Sequence, residues 1–148
     1  MRISEASRQS RVSAKLIRYY ESAELLSPAG RDQNGYRAFD DRNVHELRFI
    51  KRTRALGFPI KDITELLRLW RDKRRPSRNV RALAERHRQL VTSRMEAHRE
   101  IINVLTRLIN QCRGDDLPDC PILGDFSGSG GRQGRRTYWT RIWRPAKH

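Results

Sequence analysis

Cys112 and Cys120 are the only thiols in the chain. They bracket Arg113-Gly114-Asp115-Asp116-Leu117-Pro118-Asp119, a tight polar loop. Pro121 comes next, at what reads as the first position of a short helix including Ile122, Leu123 and Phe126. A helix start places free amides and a positive dipole end beside Cys120, which favours its thiolate over the neutral thiol. Two thiolates with no adjacent His or third Cys suit a soft ion content with two ligands, above all Cu(I). Zinc wants a fuller shell, commonly with roughly two to four residues between paired cysteines. Seven intervene here, and the nearest histidine, His98, lies 14 residues before Cys112. Spacing alone leaves a reversible disulfide or two inert thiols as open as a metal pair.

The loop must be carried by the segment before it. From Val80 to Asn110 the chain has a heptad pattern at Val80, Leu83, His87, Leu90, Arg94, Ala97, Ile101, Val104 and Leu108, with alternating steps of three and four. No Gly or Pro interrupts it, so the pattern predicts one long helix with a coiled-coil seam. At 1.5 Å per residue such a helix runs roughly 45 Å and needs a partner to cover its stripe. The simplest partner is the same helix of a second copy, which predicts a homodimer through Leu83, Leu90, Ile101 and Leu108.

Upstream of a basic hinge at Arg71 to Ser77, the pattern is that of a nucleic-acid reader. A first helix is expected from Ser4 to about Gln9, then a turn at Ser10 to Val12. Ser13 is placed to cap a second helix from Ala14 to about Ala23. Two short helices around a tight turn form a helix-turn-helix, with the second helix in the major groove. That helix carries Lys15, Arg18, Tyr19 and Tyr20. Leu25 and Leu26 read as a short strand, Asn34-Gly35 as a hairpin turn with both residues at positive φ, and Tyr36 to Phe39 as the return strand. This wing presents Arg31, Tyr36 and Arg37 to phosphates. Asp40 or Asp41 caps a third helix ending near Ala55, with Gly57 as a left-handed stop. Its apolar face is Val44, Leu47, Phe49, Ile50 and Leu56. Pro59 opens a fourth helix whose inward residues are Ile60, Ile63, Leu66, Leu67 and Trp70.

Composition agrees with this division. The 148 residues carry a formal net charge of +15, which points to a polyanionic partner and to double-stranded DNA before a membrane surface. Residues 1–75 hold 18 Lys and Arg against 10 Asp and Glu, an excess of +8. No stretch is long and apolar enough to span a bilayer or to serve as a signal peptide, so a cytoplasmic location is expected. Residues 127–148 contribute a further +6 from Arg132, Arg135, Arg136, Arg141, Arg144 and Lys147, and read as a disordered, DNA-touching tail with Trp139 and Trp143 four apart. Four segments result: a reader over 1–75, a hinge and dimerisation helix over 76–111, a cysteine loop and short helix over 112–126, and the tail.

The order of elements resembles the MerR family of bacterial transcription regulators. Arg18-Tyr19-Tyr20-Glu21, Asn34-Gly35-Tyr36-Arg37 and the Gly57-Phe58 stop carry the resemblance, which extends from residue 1 to about 126. It implies a mainly α protein: a winged helix-turn-helix, a long antiparallel dimerisation helix and a short metal-binding loop. It departs at two turn positions, Arg11 and Glu24, the first of which is often Gly in the family.

The stretch Cys112 to Ile122 closely resembles the loop of the copper-responsive, CueR-like branch. That resemblance implies Cu(I), with Ag(I) and Au(I) as mimics, bound linearly by Cys112 and Cys120. The position opening the long helix is Ser in monovalent sensors and Cys in divalent ones, and here it is Ser77. Arg81, one turn further, is expected to balance the negative charge of a bis-thiolate Cu(I) site. The resemblance also implies an activator that kinks and undertwists promoter DNA so that RNA polymerase engages both promoter elements. A thiol redox switch on the same fold is the second reading. A copper carrier or copper-handling enzyme is the third, and the winged reader and the lack of any acid-base constellation speak against it.

Overall fold

A computed structural model describes residues 1–116, 118 and 120–128. In chain order the elements are α1 (Ile3–Ser10), α2 (Ala14–Ser22), β1 (Gly30–Arg31), β2 (Arg37–Ala38), α3 (Asp41–Ala55), α4 (Ile60–Arg71), α5 (Ser77–Gln111) and α6 (Pro121–Phe126). Most of the expected segment at 127–148, including Trp139 and Trp143, lies outside the described residues. The mainly helical reading is correct, and among the described residues no helix is long and apolar enough to cross a membrane.

Two compact units result, Met1–His87 and Arg88–His148. The first is built on one apolar core. Ile17 and Tyr20 of α2, Leu47 and Ile50 of α3, and Ile63 and Leu67 of α4 are all buried in it. Local chemistry sets the element boundaries. The Ser13 hydroxyl accepts from the Leu16 amide to start α2. Asp40 and Asn43 form a reciprocal capping box at the start of α3, satisfying two otherwise orphaned amides. Gly57, at φ 80°, reverses the chain between α3 and α4.

The two departures from the family pattern fall where the backbone is left-handed. Arg11 and Glu24 both stand at φ 57°, and they are the only non-glycine residues with positive φ among those described. They flank α2 on either side. A left-handed conformation costs an L-residue roughly 1–2 kcal/mol. Arg11→Gly or Glu24→Gly is therefore expected to raise the unfolding free energy by about 1 kcal/mol, less the entropy glycine brings to the unfolded chain. Denaturant titration of each variant checks this; an unchanged or lowered midpoint contradicts it.

Several details differ from expectation. α1 begins at Ile3 with Arg2 as its cap residue and no side-chain cap, so Ser4 lies inside the helix. Leu25 and Leu26 form no strand; they are buried core residues, and the wing pairs Gly30 with Ala38 and Arg31 with Arg37. Its turn has only Gly35 at positive φ. The Gly35 amide reaches the Asp32 carbonyl and the Asp32 amide reaches the Tyr36 carbonyl, the pattern of a three-residue loop closed by a left-handed glycine. The Asp32 carboxylate holds this turn by accepting from the Asn34 and Tyr36 amides. Leu56 is half exposed and Trp70 stacks on Phe49 at the surface, while Leu69 takes the inward position on α4.

The first turns of α5 belong to the first unit. Leu83 is buried against Leu66 and Leu69, with Val80 beside them. His87 is 6 % exposed and stacks on Phe58 at 4.0 Å. Its Nε2 lies 2.7 Å from the Leu56 carbonyl, and a carbonyl only accepts, so Nε2 carries the proton. Leu83 is thus covered by its own chain, which corrects its assignment to a dimer seam.

Candidate nucleic-acid interface and cysteine loop

Amphipathicity divides α2 into a buried line, Ile17 and Tyr20, and an exposed line containing Lys15, Arg18 and Tyr19. Tyr20 is only 2 % exposed, and burial raises its phenol pKa above the ordinary value. Its expected contact with DNA is therefore corrected: three residues from Ile17, it falls on the core side of the helix. Tyr19, 44 % exposed, is the outward member of the pair. Arg31, Tyr36 and Arg37 are all exposed on the wing, as expected.

The structure adds partners that sequence reading missed. Arg37 forms an ion pair with Glu21, which ties the return strand of the wing to α2. The Arg2 guanidinium lies 5.0 Å from the centre of the Tyr36 ring, so the residue before α1 joins the wing through a cation–π contact. The Arg31 guanidinium donates to the Gly35 carbonyl across the turn. Two cations of α3 face the turn between α1 and α2. Arg48 donates to the Gln9 carbonyl at 2.9 Å and Lys51 to the Arg11 carbonyl at 3.0 Å. They satisfy acceptors that a helix end leaves without intrahelical donors, and they hold the left-handed Arg11 in place.

In the second unit, Cys112 directly follows α5 and Cys120 is the cap residue of α6; both are half-buried. The Cys112 amide closes α5 on the Leu108 and Ile109 carbonyls. The Cys120 carbonyl accepts from the Gly124 amide and so begins α6. Leu117 and Asp119 of the intervening loop lie outside the described residues. No grouping of three or more His, Cys, Asp or Glu suited to a metal occurs among the described residues. Cys112 and Cys120 are the thiols that flank the loop, and a pair of thiolates fits a soft ion satisfied by two ligands. Ser77 is exposed at the start of α5, and Arg81 is exposed and ion-paired with Glu85 at 2.8 Å.

Of the seam residues expected in this unit, Leu90 is exposed and Ile101 half-buried, while Leu108 is not available to a partner. Leu108 is buried within the single chain at 4 % exposure. Exposed apolar side chains instead follow a neighbouring line: Val91, Met95, Ile102, Leu105 and Ile109, with Leu90 beside them. Both lines step by three and four, so periodicity alone does not say which one its own chain covers.

Comparison with known proteins decides the family. The family model "MerR HTH family regulatory protein" matches residues 1–70, and "MerR, DNA binding" matches residues 44–108. "Heavy metal-dependent transcription regulator 2" of Rhizobium meliloti is 46 % identical over 127 residues, covering 86 % of this chain and 86 % of that protein. The chain belongs to the MerR family.

As a MerR-family member it is a DNA-binding transcription regulator and not an enzyme. It is also 33 % identical to the "HTH-type transcriptional regulator CueR" of Escherichia coli O6:H1, over 86 % of this chain and 95 % of that one. Among solved structures, the regulator PbrR691 of Ralstonia metallidurans CH34 in complex with lead(II) superposes with a TM-score of 0.76 at 28 % identity, covering 85 % of this chain and 98 % of that one. The match spans reader, long helix and cysteine loop, the extent the sequence resemblance implies.

Proposed function

We propose that this MerR-family regulator is triggered by a soft monovalent ion, Cu(I), held by Cys112 and Cys120, with Ag(I) and Au(I) as mimics. The observation that carries this is the pair of half-buried thiols at the junctions of α5 and α6. The similarity to CueR supports it, as does the relative named for heavy-metal dependence. Cu(I) would be held by the Cys112 and Cys120 thiolates, and a monovalent ion with two thiolates would carry one net negative charge. Arg81 is the candidate counter-charge, and the family resemblance implies that Ser77 of a second copy is the residue beside which a third ligand would enter.

The active species is proposed to be a homodimer on double-stranded promoter DNA. Lys15, Arg18 and Tyr19 enter the groove, and Arg31, Tyr36 and Arg37 take the flanking phosphates. A second copy covers the apolar line of α5, placing two readers on a palindromic site. Metal binding then selects between two DNA-bound shapes, and the energy goes into deforming the promoter before RNA polymerase, not into tighter binding. Run-off transcription of wild type with Cu(I), Ag(I), Zn(II) and Pb(II) tests this. Activation by Cu(I) and Ag(I) is expected. Activation by Zn(II) or Pb(II) alone would overturn the monovalent reading and favour a divalent one, the class of ion bound by PbrR691.

A further inference from the structure

α4 ends on Arg71, and a short hinge leads from it to the start of α5 at Ser77. The Arg71 side chain turns away from the hinge and back into the reader. Its Nε donates to Glu46 Oε1 at 2.9 Å, and its Nη2 donates to the Leu25 carbonyl at 2.7 Å. Leu25 is the residue after the left-handed Glu24, where the chain leaves α2 for the wing. Glu46 is almost fully buried, with a side-chain exposure of 1 %. Its other bonds go to the same segment: Oε2 accepts from the Ser27 amide at 2.9 Å, and Oε1 from the Ser27 hydroxyl at 2.7 Å. Asn43 completes the set by donating to the Ser27 carbonyl at 3.0 Å.

The result is one part-buried charge network, centred on the buried Glu46, that joins the last residue of α4 to the entry of the wing. At the same end of α4, Leu66 and Leu69 pack on Leu83 of α5. α4 therefore has an apolar tie to α5 and a polar tie to the wing. The polar tie has an alternative arrangement. Arg42 lies 3.8 Å from the same Glu46 oxygen, too far for a good hydrogen bond but close enough to take over as its cation. If Arg71 withdraws, Glu46 need not be left buried without a counter-charge, which is the costly outcome.

We infer that Arg71 is a coupling residue: it transmits displacement of the α4–α5 hinge to the wing, with Arg42 holding Glu46 in the alternative state. A planar guanidinium suits the task because its fixed fork reaches a carboxylate and a carbonyl together, which an ammonium does less well. The inference rests on the proposed metal-triggered function, and its test separates the two.

Wild type, Arg71→Met and Arg71→Lys are compared in three measurements. These are operator binding by anisotropy, ion binding by thiolate ultraviolet absorption, and run-off transcription with whichever of Cu(I), Ag(I), Zn(II) or Pb(II) activates wild type. Arg71→Met is expected to bind operator and ion as wild type does, while its activation ratio falls about tenfold, within the usual range of allosteric coupling. Arg71→Lys keeps a cation opposite Glu46 and is expected to fold, yet to stay poorly activated because the Leu25 carbonyl loses its donor. Should Arg71→Met unfold, Arg71→Lys decides alone. Wild-type activation in a variant that binds ion normally overturns the coupling role, as does a loss of activation matched by an equal loss of operator binding. A wild type that no ion activates defeats the proposed function itself.

Discussion

Cys112→Ser and Cys120→Ser are each expected to abolish metal-triggered transcription while leaving operator affinity within about twofold of wild type, because the thiols and the reader lie in different compact units. The size of the loss follows from population arithmetic. Moving a two-state regulator from mostly off to mostly on takes a differential affinity of roughly 10⁴, about 5.5 kcal/mol. A hydroxyl is a hard, weakly acidic substitute for a thiolate and cannot provide that for Cu(I). Ser77→Cys is expected to act in the opposite sense, adding a third thiolate and admitting divalent ions. Transcription against Cu(I), Ag(I) and Zn(II) for these three variants gives the answer. A full copper response in either serine variant at the cysteines would refute the two-thiolate site.

The second large effect is expected on α5. Leu90, beside the exposed apolar line of the single chain, is 42 % exposed, and Ile102, on that line, is 60 % exposed. With a second copy covering that line, Leu90→Asp together with Ile102→Asp buries two carboxylates against hydrocarbon, each at a cost of several kcal/mol. The double variant is expected to be monomeric and folded in its reader, and to lose operator affinity by roughly 10²–10⁴, the usual contribution of joining two binding modules. Sedimentation and operator titration measure both. Leu83→Asp should behave differently, unfolding the reader, since Leu83 is buried there against Leu66 and Leu69. A monomeric double variant that still holds the full palindrome as wild type does would sink the dimer proposal.

These expectations trace which parts of the molecule local chemistry dictates. The cap at Asp40 and the turn at Gly57 could be read from single residues, because each depends on one residue's hydrogen-bonding or steric character; the left-handed backbone at Arg11 and Glu24 is signalled by neither side chain and was marked only by the family resemblance. The outward cations of α2 and the wing were equally legible. What failed depended on the rest of the fold. Tyr20 is as polar-tipped as Tyr19, and only packing decides which of the neighbours turns inward. Trp70 and Leu69 exchanged roles for the same reason. On α5 two apolar lines share one spacing, and cover from the chain itself hides Leu83 and Leu108. Arg71 looked like part of a basic hinge because its partners, Leu25 and Glu46, are distant in sequence. The cysteine pair was visible as a pair, but seven intervening residues by themselves carry little chemical specificity.

The way α5 begins has a consequence for how such regulators can be recombined. The hinge before Ser77 looks like a natural seam for exchanging a reader with another protein's sensor. Yet Leu83 and His87 are part of the reader's packing: Leu83 covers Leu66 and Leu69, while His87 stacks on Phe58 and bonds the Leu56 carbonyl. A chimaera joined at the hinge would take foreign side chains into that packing. One joined after His87 would inherit the reader's own three turns of helix and needs only to continue the helix in register. The workable crossover therefore lies inside a continuous helix and not at the hinge beside it, where Pro76 breaks the helical run.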